Sequence, residues 1–181
     1  TTERLLAFYG DDFTGSTDAM EALALSGLRT VLFLAPPDPA LMRGRFADVR
    51  CIGVAGTSRA MTAAEMDTEL FPVLRSLWKL GAPLLHYKVC STFDSSPAIG
   101  NIGHVVEFAR RELNSEDAVQ ILAGAPPLRR FTLFGNHFAA AGPEIHRLDR
   151  HPTMSRHPAT PMHESDLRQH LAAQTPLPVS L

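Results

Sequence analysis

Apolar residues gather in short runs at Leu5 to Tyr9, Thr30 to Ala35, Cys51 to Ala55, Leu84 to Val89, Val119 to Ala123 and Phe131 to Phe134. Most of these runs are continuous rather than alternating, as expected of strands covered on both faces. Six strands follow, and the stretches between them carry helical periodicity. After the first run, Met20, Leu23, Ala24 and Gly27 share one helical face. Asp18 is expected in the first turn of that helix and Gly27 as its left-handed stop. From Thr62 to Leu80, the residues Met66, Leu70, Leu74 and Leu77 make one apolar stripe, which Pro72 should kink or divide. A third helix is predicted from Ile102 to Leu113, with Val105, Val106, Ala109 and Leu113 on one face. A fourth should open at Thr160-Pro161, Thr160 capping and Pro161 at the first helical position, and carry Leu167 and Leu171 up to Thr175-Pro176. The predicted class is α/β, a three-layer α/β/α fold around a mostly parallel sheet of about six strands.

Prolines 152, 158 and 161 share one segment with His151, His157 and His163, which excludes regular helix there. That segment is expected to be an extended crossing that returns the chain to the first half of the sheet. Pro176-Leu177-Pro178 reads as a frayed end or the start of a linker.

Composition narrows the function classes. The 181 residues, 45% hydrophobic and 20% charged, suit one globular domain. With 17 basic against 19 acidic side chains the net charge is −2, so no basic field invites nucleic acid. No apolar run is long enough for a membrane span, and Thr1-Thr2-Glu3-Arg4 opens no secretory signal, which points to the cytoplasm. Two cysteines, Cys51 and Cys90, exclude a disulfide framework and are expected as reduced thiols.

The candidate chemistry sits where strands end. Gly10-Asp11-Asp12-Phe13-Thr14-Gly15-Ser16-Thr17 places two carboxylates after the first strand, the position where open α/β sheets bind ligands. Amides of Gly15, Ser16 and Thr17 at a helix start can hold an anion, and Asp11 or Asp12 can accept from sugar hydroxyls, ligate a metal or act as a base. The plainer alternative is that Asp12 only caps the turn and Asp11 is solvated. After the third strand, Thr57-Ser58-Arg59 supplies hydroxyls and a guanidinium suited to a carboxylate. After the fourth, Lys88, Ser91, Thr92 and Asn101 add a cation and further polar groups, with Lys88 expected to alternate inward with His86 and Cys90. Carboxylates for hydroxyls and cations for an acid together complement a sugar acid. His151, His157 and His163 lack the four-residue helical spacing of metalloprotease zinc ligands, so no metal is assigned to them. The chain has no Gly-x-x-x-x-Gly-Lys-Ser/Thr loop and no Gly-x-Gly-x-x-Gly after a strand, so neither ATP nor a dinucleotide has a seat in it. A Ser91 hydrolase triad is disfavoured by the missing Gly-x-Ser-x-Gly elbow.

At these residues the chain resembles the N-terminal domain of the four-carbon acid sugar kinase family. Gly10 to Asp18 looks like that family's Asp-Asp-Phe-Thr-Gly motif, Thr57-Ser58-Arg59 its second loop, Tyr87-Lys88 through Gly103 its third, and His151 to Leu171 its His-Pro-rich segment. The third loop departs from threonate-type members: Cys90 stands where they have aspartate, their arginine is gone, and Phe93 to Ile99 lengthens the loop. The variant looks more like the 3-oxo-tetronate kinase branch.

The resemblance implies a substrate-binding half of a two-domain kinase, residues 1–175, with 176–181 as tail or linker and the ATP domain absent. ATP and Mg2+ would belong to the complete enzyme, and this chain alone would be inactive. Carried over residue by residue, Asp11 and Asp12 would face the substrate hydroxyls, one of them activating the attacking hydroxyl. Arg59 and Lys88 would hold the carboxylate. Thr14, Gly15, Ser58, Ser91, Thr92, Asn101 and Asn136 would complete the polar shell. The substrate would be 3-oxo-tetronate, erythronate or threonate. The partners implied are that sugar acid and the ATP domain, with a homodimer formed if an apolar face is left open. The alternative is a non-catalytic module that binds a sugar acid or a protein, without an ATP site.

Overall fold

β1 (Leu6–Gly10), β2 (Thr30–Phe33), β3 (Cys51–Ala55) and β4 (Leu84–Lys88) form a parallel sheet in the order β2-β3-β1-β4. This is a computed structural model, and it describes residues 3–113 and 118–181, so Thr1 and Thr2 lie outside it. Leu6 pairs with Cys51 and Leu84, and Gly10 with Ala55 and Lys88, so three strands finish level with one another. All five residues of β3 are buried, as a continuous apolar run in a central parallel strand requires.

Helix α1 (Phe13–Leu25) follows β1 directly. Asp12 is its N-cap, so Asp18 lies past the first turn rather than in it. Its end is the predicted one: Gly27 has φ +80°, and the amides of Gly27 and Leu28 return to the carbonyls of Ala24 and Leu23. A short α2 (Pro39–Arg43) starts behind an Asp38 cap.

The Met66-Leu70-Leu74-Leu77 stripe is buried throughout, none of the four more than 2% exposed. The stretch is divided just ahead of Pro72, as expected: α3 (Ala63–Glu65) runs into a π-helical turn (Met66–Leu70) and then α4 (Phe71–Trp78), which has the proline in its first turn. The Phe71 amide bonds to the Met66 carbonyl, five residues back. The wide turn leaves room for a residue that cannot donate and whose ring crowds the preceding turn.

The chain separates into two compact units. The first comprises Thr1–Ser58 and Ala64–Val89, and the second Arg59–Ala63 and Cys90–Leu181. In the second, α5 (Ile102–Glu112) precedes an antiparallel sheet of β5 (Arg130–Leu133), β6 (Asn136–Ala141) and β7 (Glu144–Arg147), followed by α6 (Leu167–Ala172). The predicted six-stranded parallel sheet is thus a four-stranded one plus a separate antiparallel sheet. Val119 to Ala123 forms no strand, and Leu122 is 90% exposed. The run from Phe131 falls in β5, which turns back through Phe134 and Gly135, both at positive φ, into β6.

The inner face of α5 carries Ile102, Val105 and Phe108 rather than the predicted Val106 and Ala109, which are half-buried. Helix α6 is capped by Asp166, not Thr160. The Thr160 hydroxyl is used elsewhere, donating to Asp94 at 3.2 Å. The proline-rich segment belongs to the second unit, where Met154 and Met162 join Ala139 and Leu148 in a small core.

Candidate functional site

In the first unit the ends of β1, β3 and β4 are tied by backbone: the Asp11 amide donates to the Lys88 carbonyl at 2.9 Å and the Gly56 amide to the Gly10 carbonyl at 3.0 Å. Asp11 is only 4% exposed, and burying a carboxylate is expensive without donors or a cation. Asp12 accepts the Gly15 amide at 2.7 Å and so caps the turn, whereas Asp11 is buried rather than solvated as the plainer alternative has it. The Ser16 amide bonds to the Asp12 carbonyl, and Thr17 lies beyond the first turn. The helix start therefore spends on Asp12 the Gly15 and Ser16 amides expected for an anion. Thr14 stays exposed beside it.

Gly15 explains itself by what surrounds it. A Cβ there would stand 2.7 Å from Asp12 Oδ1 and 3.3 Å from Lys88 Nζ. A carboxylate and an ammonium thus face one stretch of bare backbone, with Lys88 Nζ also donating to the Val89 carbonyl at 2.7 Å. His86, expected inward with Lys88, is exposed.

Tyr9 and Tyr87, which sequence reasoning did not assign to the site, stand as register partners on β1 and β4, stacked at 6.0 Å and 13°. Ser58 is fully buried and its hydroxyl lies 2.8 Å from that of Tyr87. The Tyr9 hydroxyl faces the same loop, where hydrogen bonding from Ser58 and from the Thr57 and Ser58 backbone acts to lower its pKa. Burial pushes the Tyr9 phenol above its ordinary range, and the Asp11 charge adds to the rise. A Cβ on Gly56 would fall 1.8 Å from the Tyr9 hydroxyl, so only glycine lets the turn close on it. That glycine after the third strand was the one available sequence signal.

The second unit holds Arg59, Ser91, Thr92, Asn101 and Asn136. Arg59 and the third loop meet through backbone: Gly100, at φ +60°, would place a Cβ 2.6 Å from the Arg59 carbonyl, and its amide donates to Met61 at 2.9 Å. Asn101 caps α5, accepting the His104 amide at 2.8 Å and donating to the Pro97 carbonyl. Gln174 Oε1 takes the Ile102 and Gly103 amides, so protein side chains fill this helix start as well. Thr92 is buried, donating to Asp94 at 2.7 Å and lying 3.0 Å from Cys90 Sγ. Cys51 and Cys90 are both free thiols. Asn136 accepts from Ser165 at 2.8 Å. Ser91 offers its carbonyl to His137 Nε2 at 2.7 Å.

His137, His151, His157 and His170 of this unit are hydrogen-bonded within the protein. A carbonyl only accepts, so His137 Nε2 carries the proton and Nδ1 accepts from Thr132 at 2.9 Å. Burial pushes the His137 pKa down, and that of His170 likewise. His151 Nδ1 accepts the Thr153 and Met154 amides while Nε2 donates to Ala140. Among the described residues no group of three or more His, Cys, Asp and Glu is gathered as for a metal. No helix among them is long and apolar enough to cross a membrane. A cleft of about 680 Å3 opens at the opposite end of the parallel sheet, between Arg4, Met42, Arg43, Leu80 and Pro83, away from the carboxylates.

A parallel sheet with a short acidic turn leading from its first strand into a capped helix defines an α/β ligand-binding unit. The chain belongs to the family of sugar-binding N-terminal domains, whose model matches residues 6–181. It is 58% identical over 171 residues to a 3-oxo-isoapionate kinase of Paraburkholderia graminis, covering 94% of this chain and 36% of that protein. It is 36% identical to a 3-oxo-tetronate kinase of Pseudomonas fluorescens, covering 98% of this chain and 39% of that one. The chain thus spans little more than a third of the curated relatives it matches. A crystal structure from Salmonella typhimurium LT2 superposes with a TM-score of 0.83 at 29% identity, covering 96% of this chain and 39% of that one. A Bordetella bronchiseptica domain solved with bound citrate as a domain-swapped dimer, TM-score 0.72 at 22% identity over 92% of this chain and 39% of its own, shares the fold.

Proposed function

We propose that this chain is the sugar-acid-binding part of a kinase that phosphorylates an oxo sugar acid at a terminal hydroxyl. The observation that carries the reading is the group at the end of the parallel sheet, buried Asp11 with Asp12 and Lys88 around Gly15, in a chain this similar to a 3-oxo-isoapionate kinase. Identity of 58% to that enzyme against 36% to a 3-oxo-tetronate kinase favours 3-oxo-isoapionate as the substrate over 3-oxo-tetronate, erythronate or threonate.

Lys88 supplies charge for the carboxylate, and Arg59, in the second unit, is a planar fork of the kind that binds one. Asp11, buried at the end of β1, is taken as the base for the attacking hydroxyl, and Asp12 as the cap of the helix that follows. Thr14, with an exposed side chain, is the further polar candidate of the first unit, and Ser91, Thr92, Asn101 and Asn136 are those of the second. Phosphoryl transfer asks mainly for positioning and charge, which is what rigid strand ends provide.

ATP and Mg2+ belong to the complete enzyme in this reading, and at the starts of α1 and α5 side chains of the protein already take amides that an anion could use. Both ligands are then held by another domain of the complete polypeptide, with residues 1–175 as the substrate domain and 176–181 leading out of it.

The test is calorimetric titration of the complete polypeptide with 3-oxo-isoapionate, 3-oxo-tetronate, D-erythronate and L-threonate. One acid should bind, and Lys88→Ala and Arg59→Ala should each weaken it by about 1.5 kcal/mol or more, the scale of a charge-assisted hydrogen bond. Absence of binding by all four, or equal binding by both variants, sinks the reading.

A further inference from the structure

We infer that Tyr9 and Tyr87 are positioning residues of the sugar-acid site, a stacked pair whose hydroxyls hold Ser58 and the loop that leads to it. The inference rests on the substrate-site reading above and adds to it two residues that neither the motifs nor the relatives' names assign.

Three observations converge. The parallel register places Tyr9 and Tyr87 side by side one position before β1 and β4 end, so their rings stack where the ligand-binding loops begin. The Tyr87 hydroxyl meets Ser58, a side chain with no exposure, at the head of the 3-10 turn Ser58–Ala60, and the Tyr9 hydroxyl lies against Gly56 of the same loop. Gly56 admits the Tyr9 hydroxyl where any Cβ would overlap it. The local sequence, backbone and side chains are therefore all arranged to bring phenols under one turn.

A buried phenol is a poor choice if the aim is only to fill space, because its hydroxyl must be satisfied and phenylalanine needs no partner. Here the two hydroxyls do what an apolar ring cannot: they tie the β3 turn to β1 and β4 by directional bonds. The turn leads straight into Arg59, and Asp11 is close enough to raise the Tyr9 phenol. Losing one hydroxyl frees the turn, which costs substrate affinity and leaves the reacting groups in place.

The chain has only two tyrosines, so the near-ultraviolet tyrosine signal of these residues comes from this pair alone. In the complete polypeptide, Tyr87→Phe should raise KM and Kd for the sugar acid about 3- to 10-fold, one net hydrogen bond's worth. Its kcat and KM for ATP should stay at wild-type values. Tyr9→Phe should act in the same direction. Addition of the acid to wild type should perturb the tyrosine band, and the perturbation should vanish in the double variant when each is read against its own acid-free spectrum. Wild-type KM in Tyr87→Phe, or an affinity loss that merely follows a fall in unfolding midpoint, overturns the inference. An acid that binds wild type and both single variants equally does the same while leaving the functional reading intact. If wild type binds no acid, the functional reading fails first and takes this one with it. Should Tyr9→Phe not fold, half-buried Tyr87 alone decides the matter.

Discussion

The two units are stabilised by different means. The first buries an apolar sheet and stripe, with Phe8, Ile52, Met66, Leu70, Leu74 and Leu77 all at 2% exposure or less, and few buried polar side chains beyond Asp11, Ser16 and Ser58. The second buries Thr92, Asp94, Ser95, Asn101, His137, His151, Thr160, Ser165, Asp166, Gln174 and Thr175 beside a smaller apolar core. Apolar burial is non-directional and tolerates small shifts, whereas a buried polar network holds only while every member has its partner. The first unit should therefore yield gradually to mutation, and the second abruptly, at particular atoms.

The largest expected effect is in the apolar unit. Leu70→Ala, at a wholly buried position, should lower unfolding free energy by about 2–5 kcal/mol in urea melts. A loss below about 1 kcal/mol would mean that the stripe is not packed. In the polar unit, Gln174→Ala removes the partner of two α5 amides and of Ser95, and should cost about 1–3 kcal/mol. Exchange of the α5 amides with deuterium should rise with it, while that of β3 should not. If both rise together, the two regions unfold as one and the contrast drawn here fails.

Acid supplies a smaller and more selective probe. Burial lowers the folded-state pKa of His137, so its neutral form stabilises the fold above the ordinary histidine value of about 6.5. That contribution should be lost as pH falls from there towards the depressed folded value. The unfolding midpoint should drop on going from about pH 7.5 to about pH 5, and His137→Gln should flatten the dependence. An equal slope in the variant would assign the titration elsewhere. The smallest effect belongs to the surface: Arg29 and Asp48 pair with both side chains largely in water, and Arg29→Ala should change stability by less than about 1 kcal/mol.

The same contrast explains what could be read from the chain. The four parallel strands, the Gly27 stop and the 66-70-74-77 stripe were legible because apolar spacing alone builds them. β6 was not: its fully buried positions are His137 and Ala139, one polar and one small, so the alternation of burial leaves no alternation of hydropathy. Thr160-Pro161 has the form of a helix cap, yet Asp94, which nothing in the local sequence announces, competes for its hydroxyl. In the candidate site the carboxylates and Lys88 were found by their place after strands. The tyrosine pair was hidden, because stacking across β1 and β4 exists only once the register is known.

Residues Arg59–Ala63 leave the first unit for the second and then return. Neither unit is therefore a continuous stretch of polypeptide, and no single cut between two codons separates them. During synthesis the sheet of the first can close as soon as β4 emerges, while this five-residue detour must wait for partners that are encoded later, Gly100 among them. Anyone dividing the chain into modules, or joining it to another, inherits that thread and has to keep it whole.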